Sequence, residues 1–256
     1  MHNSPDAATG TTTTARMDLR ARARGEVTLL SPSGRLDLST YAVLRDGLLK
    51  HVAEQPVAVV VVLGPALEIG SDTLAGVFGA VWLRSCRWPG VPVVLVATTD
   101  RHRRLLSRTG LRRFLPCHDR LSTALAEVGA PPPRRRDQAV LPTDTNAADL
   151  ARDFTRRTCQ SWGGLHEVTA RAVLLAAELV VVARRLSGRA TSLELRVERT
   201  PRQLTVAVRY TSAQPAHPGR APDMTRVHRL ATACGSTPTL GRGDIVWAAV
   251  ALAESS

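Results

Sequence analysis

The chain has 256 residues, 44% hydrophobic but only 4% aromatic, which allows two ordinary domains whose cores must rest on Val, Leu and Ala. Its formal charge is +12 and Lys50 is its only lysine; the arginines are not interleaved with the aromatic residues that single-stranded nucleic acid would require, so they are read as spread over solvated faces. Cys86, Cys117, Cys159 and Cys234 form no C-x-x-C pair and the longest apolar run, Val57 to Leu63, is too short to cross a bilayer, which excludes a zinc ribbon, a small disulfide framework and a membrane span.

Residues 1–24 are rich in Ser, Thr, Ala and Arg, lack the apolar core of a signal peptide, and are predicted to be a disordered tail. A cytoplasmic protein with reduced thiols follows from these features. Glu26 to Ser31 and Gly34 to Asp37 suggest a hairpin-like pair of strands. Ser39 is placed to cap a helix carrying Tyr41, Leu44, Leu48 and Val52. Val57 to Leu63 and Val91 to Ala97 are uninterrupted apolar runs, the pattern of strands buried on both faces. Between them, Asp72 to Arg84 has the spacing of an amphipathic helix. Two more helices are predicted at Arg101 to Thr109 and Leu121 to Val128. Buried strands alternating with helices give an α/β domain over 25–129, with a mixed, largely parallel sheet.

Pro131-Pro132-Pro133 followed by Arg134-Arg135-Arg136 predicts a semi-rigid linker over 130–145, because prolines break helix and sheet and like charges repel. From 146 to 256 the pattern changes to α+β. Helices are predicted at Ala147 to Ser161, with Asn146 as cap, and at Glu167 to Leu186. Leu193, Leu195 and Val197, then Leu204, Val206 and Val208, alternate as an antiparallel hairpin with one wet face. A loop at Gly219 to Pro222, a helix at Asp223 to Cys234 and strands at Thr237 to Leu240 and Ile245 to Leu252 complete the domain.

Gly34-Arg35-Leu36-Asp37 and the ending Thr109-Gly110-Leu111-Arg112-Arg113-Phe114 resemble STAS domains of anti-anti-sigma factors. The resemblance implies a regulatory phosphoacceptor serine at the start of a helix, where the family shows Asp-Ser-Ser/Thr-Gly-Leu. This chain has Gly70-Ser71-Asp72-Thr73-Leu74, so Ser71 falls on the phosphoacceptor and Asp72 and Thr73 on the partner-binding surface. A phosphate there would sit at a helix start and add about two negative charges to that surface. The plainer reading is a serine in a turn, beside a permanent charge on Asp72.

The second half is similar to the histidine-kinase-like (GHKL) ATPase domain of anti-sigma serine kinases, carried by Ala177-Glu178-Leu179-Val180. The magnesium-binding asparagine of that family is replaced by Val182, and the adenine-reading aspartate by Tyr210 or Thr211. The glycine-rich lid reads Gly219-Arg220-Ala221-Pro222, and Gly241-Arg242-Gly243 resembles the closing turn. Valine offers Mg²⁺ no oxygen, and backbone without glycines approaches phosphates poorly. Glu178 is left as a vestigial nucleotide-site position, or simply as a helix partner to Arg184 or Arg185.

Together the resemblances imply a non-enzymatic regulator of a partner-switching pathway, with no catalytic residue, metal or cofactor. Its expected partner is an anti-sigma factor kinase or a sigma factor, with a second copy of the chain as a further candidate through the apolar helix at Ala170 to Leu186. Two alternatives stand beside it. One is an active, divergent serine kinase using ATP. The other is a DNA-binding regulator resting on the Arg101 to Arg113 cluster and Arg134 to Arg136. No element reads as a recognition helix, so neither nucleic acid nor membrane is the expected partner.

Overall fold

A computed structural model of the chain describes residues 17–128, 133–163, 166–188, 190–212, 222–241 and 243–252. The first unit opens with β1 (Asp18–Arg24) and β2 (Val27–Leu36), an antiparallel hairpin closed at Gly25-Glu26. The tail expected over 1–24 is therefore corrected at its end, while 1–16 lie outside the described residues. Alternation explains the strand: Leu19 turns to the core while Arg20, Arg22 and Arg24 lie on the opposite face. The two short strands expected from Glu26 to Asp37 are one strand, β2. Its first half pairs with β3 (Ala58–Leu63) and its last residues with β4 (Leu67–Ile69), so Gly34 marks a change of partner, not a turn.

Between β2 and β3 runs α1 (Leu38–Ala53). Its cap is Asp37, not Ser39: Asp37 Oδ1 accepts from the Ser39 and Thr40 amides at 2.9 and 3.1 Å, and Thr40 Oγ1 accepts from the Asp37 amide at 2.9 Å. A 3₁₀ turn (Asp72–Ala75) leads into α2 (Gly76–Arg87), followed by β5 (Val93–Ala97), α3 (Asp100–Arg108), β6 (Cys117–His118) and α4 (Leu121–Glu127). The sheet order is β1-β2-β3-β5-β6, parallel from β2 onward. Leu44, Leu48, Phe78, Val81, Leu105 and Leu106 of α1, α2 and α3 pack on Val59, Val61 and Leu95. On the other face α4 covers Val60, Val94 and Val96. This is why β3 and β5 read as unbroken apolar runs.

The second unit is a sheet-and-helix region. It starts inside the expected linker: β7 (Arg135–Leu141) pairs antiparallel with β8 (Ala190–Arg199). The repulsion argument failed because Glu198 meets both Arg134 and Arg136, and Leu141 is buried. Two helices follow, α5 (Ala147–Ser161) and α6 (His166–Ser187), then β8, β9 (Gln203–Ser212), α7 (Thr225–Leu230), β10 (Ala233–Pro238) and β11 (Asp244–Ala251). The antiparallel order is β10-β11-β9-β8-β7. The helix expected at Asp223 to Cys234 is shorter, because Ala233 onward pairs with β11. Asn146 makes no side-chain cap; its amide donates to Asp144 Oδ1 at 2.9 Å. The apolar helix α6 spends its buried face inside its own unit, on β9 and β11. Among the described residues no helix is long and apolar enough to cross a membrane.

The hairpin's second face is not wet throughout. Ala207, Ile245, Trp247 and Ala249 bury against Ala53 and Trp88 at the C-terminal ends of α1 and α2. The Trp88 and Trp247 rings stack with centroids 5.6 Å apart. Gly235 lies under Trp247, where a Cβ would come within 3.1 Å of the indole. Arg209 grips both carboxylate oxygens of Glu54 at 3.1 and 3.3 Å, and Arg84 donates to the Ser236 carbonyl at 2.7 Å. The two units are thus docked, sheet face to helix ends.

Candidate partner-binding site

The short strand β4 carries the chain back beside Leu36, where the Gly70 amide donates to the Leu36 carbonyl at 3.0 Å. That bond delivers Ser71 to the rim of the first unit. Ser71 has extended backbone, precedes the 3₁₀ turn, and is exposed. Its carbonyl accepts from the Leu74 amide at 3.1 Å, but its hydroxyl caps nothing and has no hydrogen-bond partner among the described residues.

Asp72 does not stand as a bare charge. Arg108, at the end of α3, donates Nε to its Oδ2 at 2.9 Å and Nη2 to its Oδ1 at 3.0 Å. The Asp72 hydrogen bond holds the Arg108 guanidinium above its ordinary range. Arg101 donates to the Ile69 carbonyl at 3.3 Å, and Arg35 pairs with Glu68 at 3.1 Å. Three arginines from two elements, Arg35 of β2 and Arg101 and Arg108 of α3, therefore bracket Ser71 in the chain, at residues 68, 69 and 72. Thr73 is exposed beside them.

Below this pole α2 shows solvent a smooth face of Gly76, Ala80 and Leu83, with Leu83 half exposed. Phe114 is likewise half exposed and tilts against Trp82 at 5.1 Å. A polar rim thus grades into an apolar shoulder, the composition of a surface that recognises protein. Sequence reasoning placed Ser71, Asp72 and Thr73 on this rim but missed Arg108 and the shoulder. The legible sign was Leu83, which lies off the buried stripe of Val77, Phe78 and Val81.

The vestigial position in the second unit is elsewhere. Glu178 lines a cleft of about 180 Å³ with Val182, Arg185, Asp223, Arg226 and Val227. Its partner is Arg226 of α7 at 3.6 Å, not Arg184 or Arg185. Val182 is buried in the core, and the Asp223 carboxylate accepts from the Thr225 amide at 3.1 Å. Tyr210 is buried and its hydroxyl donates to Asp244 at 3.2 Å; burial first, and then the Asp244 carboxylate, hold the phenol well above its ordinary range. Residues 213–221 and 242, where the lid and part of the closing turn were expected, lie outside the described residues. Among the described residues no three His, Cys, Asp or Glu side chains converge as a metal site would require.

The arginines of α3 and the turn after it are largely engaged: Arg103 with Asp100 at 2.7 Å, Arg108 with Asp72, and Arg112 with Asp119 at 3.1 Å. His102 on α3 is buried; its Nδ1 lies 2.9 Å from Thr99 Oγ1, and burial pushes its pKa down.

Comparison with known proteins bears on the first unit. The family model for the STAS domain matches residues 18–124. A crystal structure of an anti-sigma factor antagonist from Mycobacterium paratuberculosis is 26% identical, with 44% of this chain and 94% of that one covered and a TM-score of 0.37. A putative anti-sigma factor antagonist from Thermotoga maritima is 23% identical, with coverages of 43% and 93% and a TM-score of 0.38. The RsbU and RsbW domains of a Mycobacterium tuberculosis protein are 16% identical, with coverages of 60% and 42% and a TM-score of 0.35. No curated protein matches the chain. Residues 18–124 of this chain are a STAS domain.

Proposed function

We propose that the chain is a regulator of a partner-switching pathway, whose STAS domain binds an anti-sigma factor kinase-like protein through the Ser71 pole and the α2 shoulder. The observation that carries this reading is the exposed hydroxyl of Ser71, without a hydrogen-bond partner among the described residues, at the start of the turn into α2. A phosphate placed there would enter the reach of a local arginine set, drawing on Arg108, and would put negative charge on the binding rim. The second unit acts as a docked, non-enzymatic body. Supporting that, Val182 gives a metal no oxygen, and Glu178 and Asp223 are engaged by protein groups. The ion pairs of Arg103, Arg108 and Arg112 speak against the nucleic-acid alternative, since paired arginines neutralise fewer phosphates.

The test is affinity capture from the host with the wild-type chain and with Ser71→Glu, followed by identification of what is retained. An anti-sigma factor kinase or sigma factor held by wild type and lost with Ser71→Glu is the expected result. Equal retention of that partner by both forms contradicts the role of Ser71. Failure to retain any protein of that pathway contradicts the function.

A further inference from the structure

A second cleft opens where the two units meet, apart from the Ser71 pole and from Glu178. Its volume is about 340 Å³, within the range that small-molecule sites occupy. One wall is apolar, made by Pro56, Val57 and Pro92 of the STAS domain; the other carries Arg134 and Arg136 at the entry to β7.

The charge around this cleft is unbalanced. Glu198, buried on β8, faces Arg134 Nε at 3.2 Å and Arg136 Nε at 3.5 Å, and accepts from Gln55 Nε2 at 3.3 Å. Its two oxygens are therefore committed, yet it is one carboxylate facing two guanidinium groups. The next pair on β8, Arg196 and Glu194 at 3.4 Å, cancels itself. Among the described residues Arg134 Nε is buried without an aligned hydrogen-bond partner, its closeness to Glu198 being charge contact only, while its Nη2 donates to the Pro89 carbonyl at 3.0 Å and Arg136 Nη2 donates to Gln55 Oε1. Burial and the neighbouring cations Arg196 and Arg134 hold the Arg136 guanidinium below its ordinary range, with Glu198 only partly offsetting them. A partly desolvated cation in excess over its counter-charge is stabilised by a further anion.

We infer that this inter-unit cleft binds a small organic anion, a carboxylate or phosphate on a compact apolar body. The anionic head would meet Arg136 and Arg134 while the body lies on Pro56, Val57 and Pro92. Because the walls come from both units, an occupant strengthens their docking by mass action. The cleft would make the chain responsive to a metabolite independently of what binds at Ser71.

The experiment is calorimetric titration of the full chain with phenyl phosphate and, separately, with benzoate, at an ionic strength fixed with sodium chloride. Saturable binding at one site per chain by either probe is expected, and the stronger probe names the head group. Arg136→Gln should weaken it at least tenfold. Pro92→Glu, which sets a fixed negative charge in the cleft while leaving Glu198, Arg134 and Arg136 themselves unaltered, should do the same. No saturable heat from either probe overturns the inference, as does binding that both variants leave unchanged.

Discussion

At the scale of single residues, the most constrained position described is Gly243. Its φ of +126° belongs to glycine, and a Cβ there would sit 2.0 Å from the Tyr210 carbonyl oxygen. Gly243→Ala combines backbone strain with a clash and is expected to cost roughly 3 kcal/mol, read as a lower urea midpoint. That glycine was legible only as part of a family turn; the reason for it, the crossing of β9, is a tertiary fact. Tyr210 shows the same limit. In sequence it stood where an adenine-reading aspartate was expected, and nothing nearby announced that Asp244, from the start of β11, would accept its hydroxyl proton. Burial raises the Asp244 carboxyl above its ordinary range. Trp247→Ala removes one of two stacked rings from the docking face and should cost roughly 3–5 kcal/mol, with loss of near-ultraviolet circular dichroism.

At the scale of elements, periodicity identified most helices and strands and misplaced those whose pattern competed with charge. β1 was hidden because every second residue is arginine, and β7 because prolines stand before it and the run Arg134-Arg135-Arg136 leads into its first two residues. In both cases the neighbouring strand supplied what the local sequence lacked: a core for Leu19, and Glu198 for the cations. The cap of α1 went to Asp37 because a carboxylate reaches two amides at once. Those hydrogen bonds, first of all from the Ser39 side chain, hold the Asp37 carboxyl below its ordinary 3.8. A depressed folded pKa gives stability that is present above 3.8 and lost as pH falls through the lower folded value. Asp37→Asn should therefore lower the melting temperature at neutral pH and flatten its decline in acid; an unchanged acid profile counts against the cap. For α6 the cleft face bears Glu178, paired with Arg226, and one turn on Val182, which offers no oxygen, so titration with Mg-ATP to millimolar concentration is expected to give no saturable heat.

At the scale of the whole molecule, docking places the second unit at the C-terminal end of α2, while Ser71 stands before its N-terminal end. Contact between the two halves was left open by the sequence, though Ile245 to Ala251 is apolar on both faces and so required cover on both. His51 and His102 add a pH dependence to the assembled chain. Burial pushes both below the ordinary 6.5, so the unfolded chain takes up these protons more readily than the folded one. Their contribution is complete above 6.5 and declines as pH falls below it, so the urea midpoint should drop between about pH 7.5 and about pH 5.5. His102→Gln should shrink that drop; an unaltered drop in a folded variant would contradict this origin. Because the pole and the docking face lie at opposite ends of α2, perturbing one should spare the other. The direct measurement is an equilibrium titration of the captured anti-sigma partner with wild type, Ser71→Glu and Trp247→Ala. The expected result is at least a tenfold loss of affinity for Ser71→Glu with Trp247→Ala close to wild type; Ser71→Glu binding as tightly as wild type would contradict it.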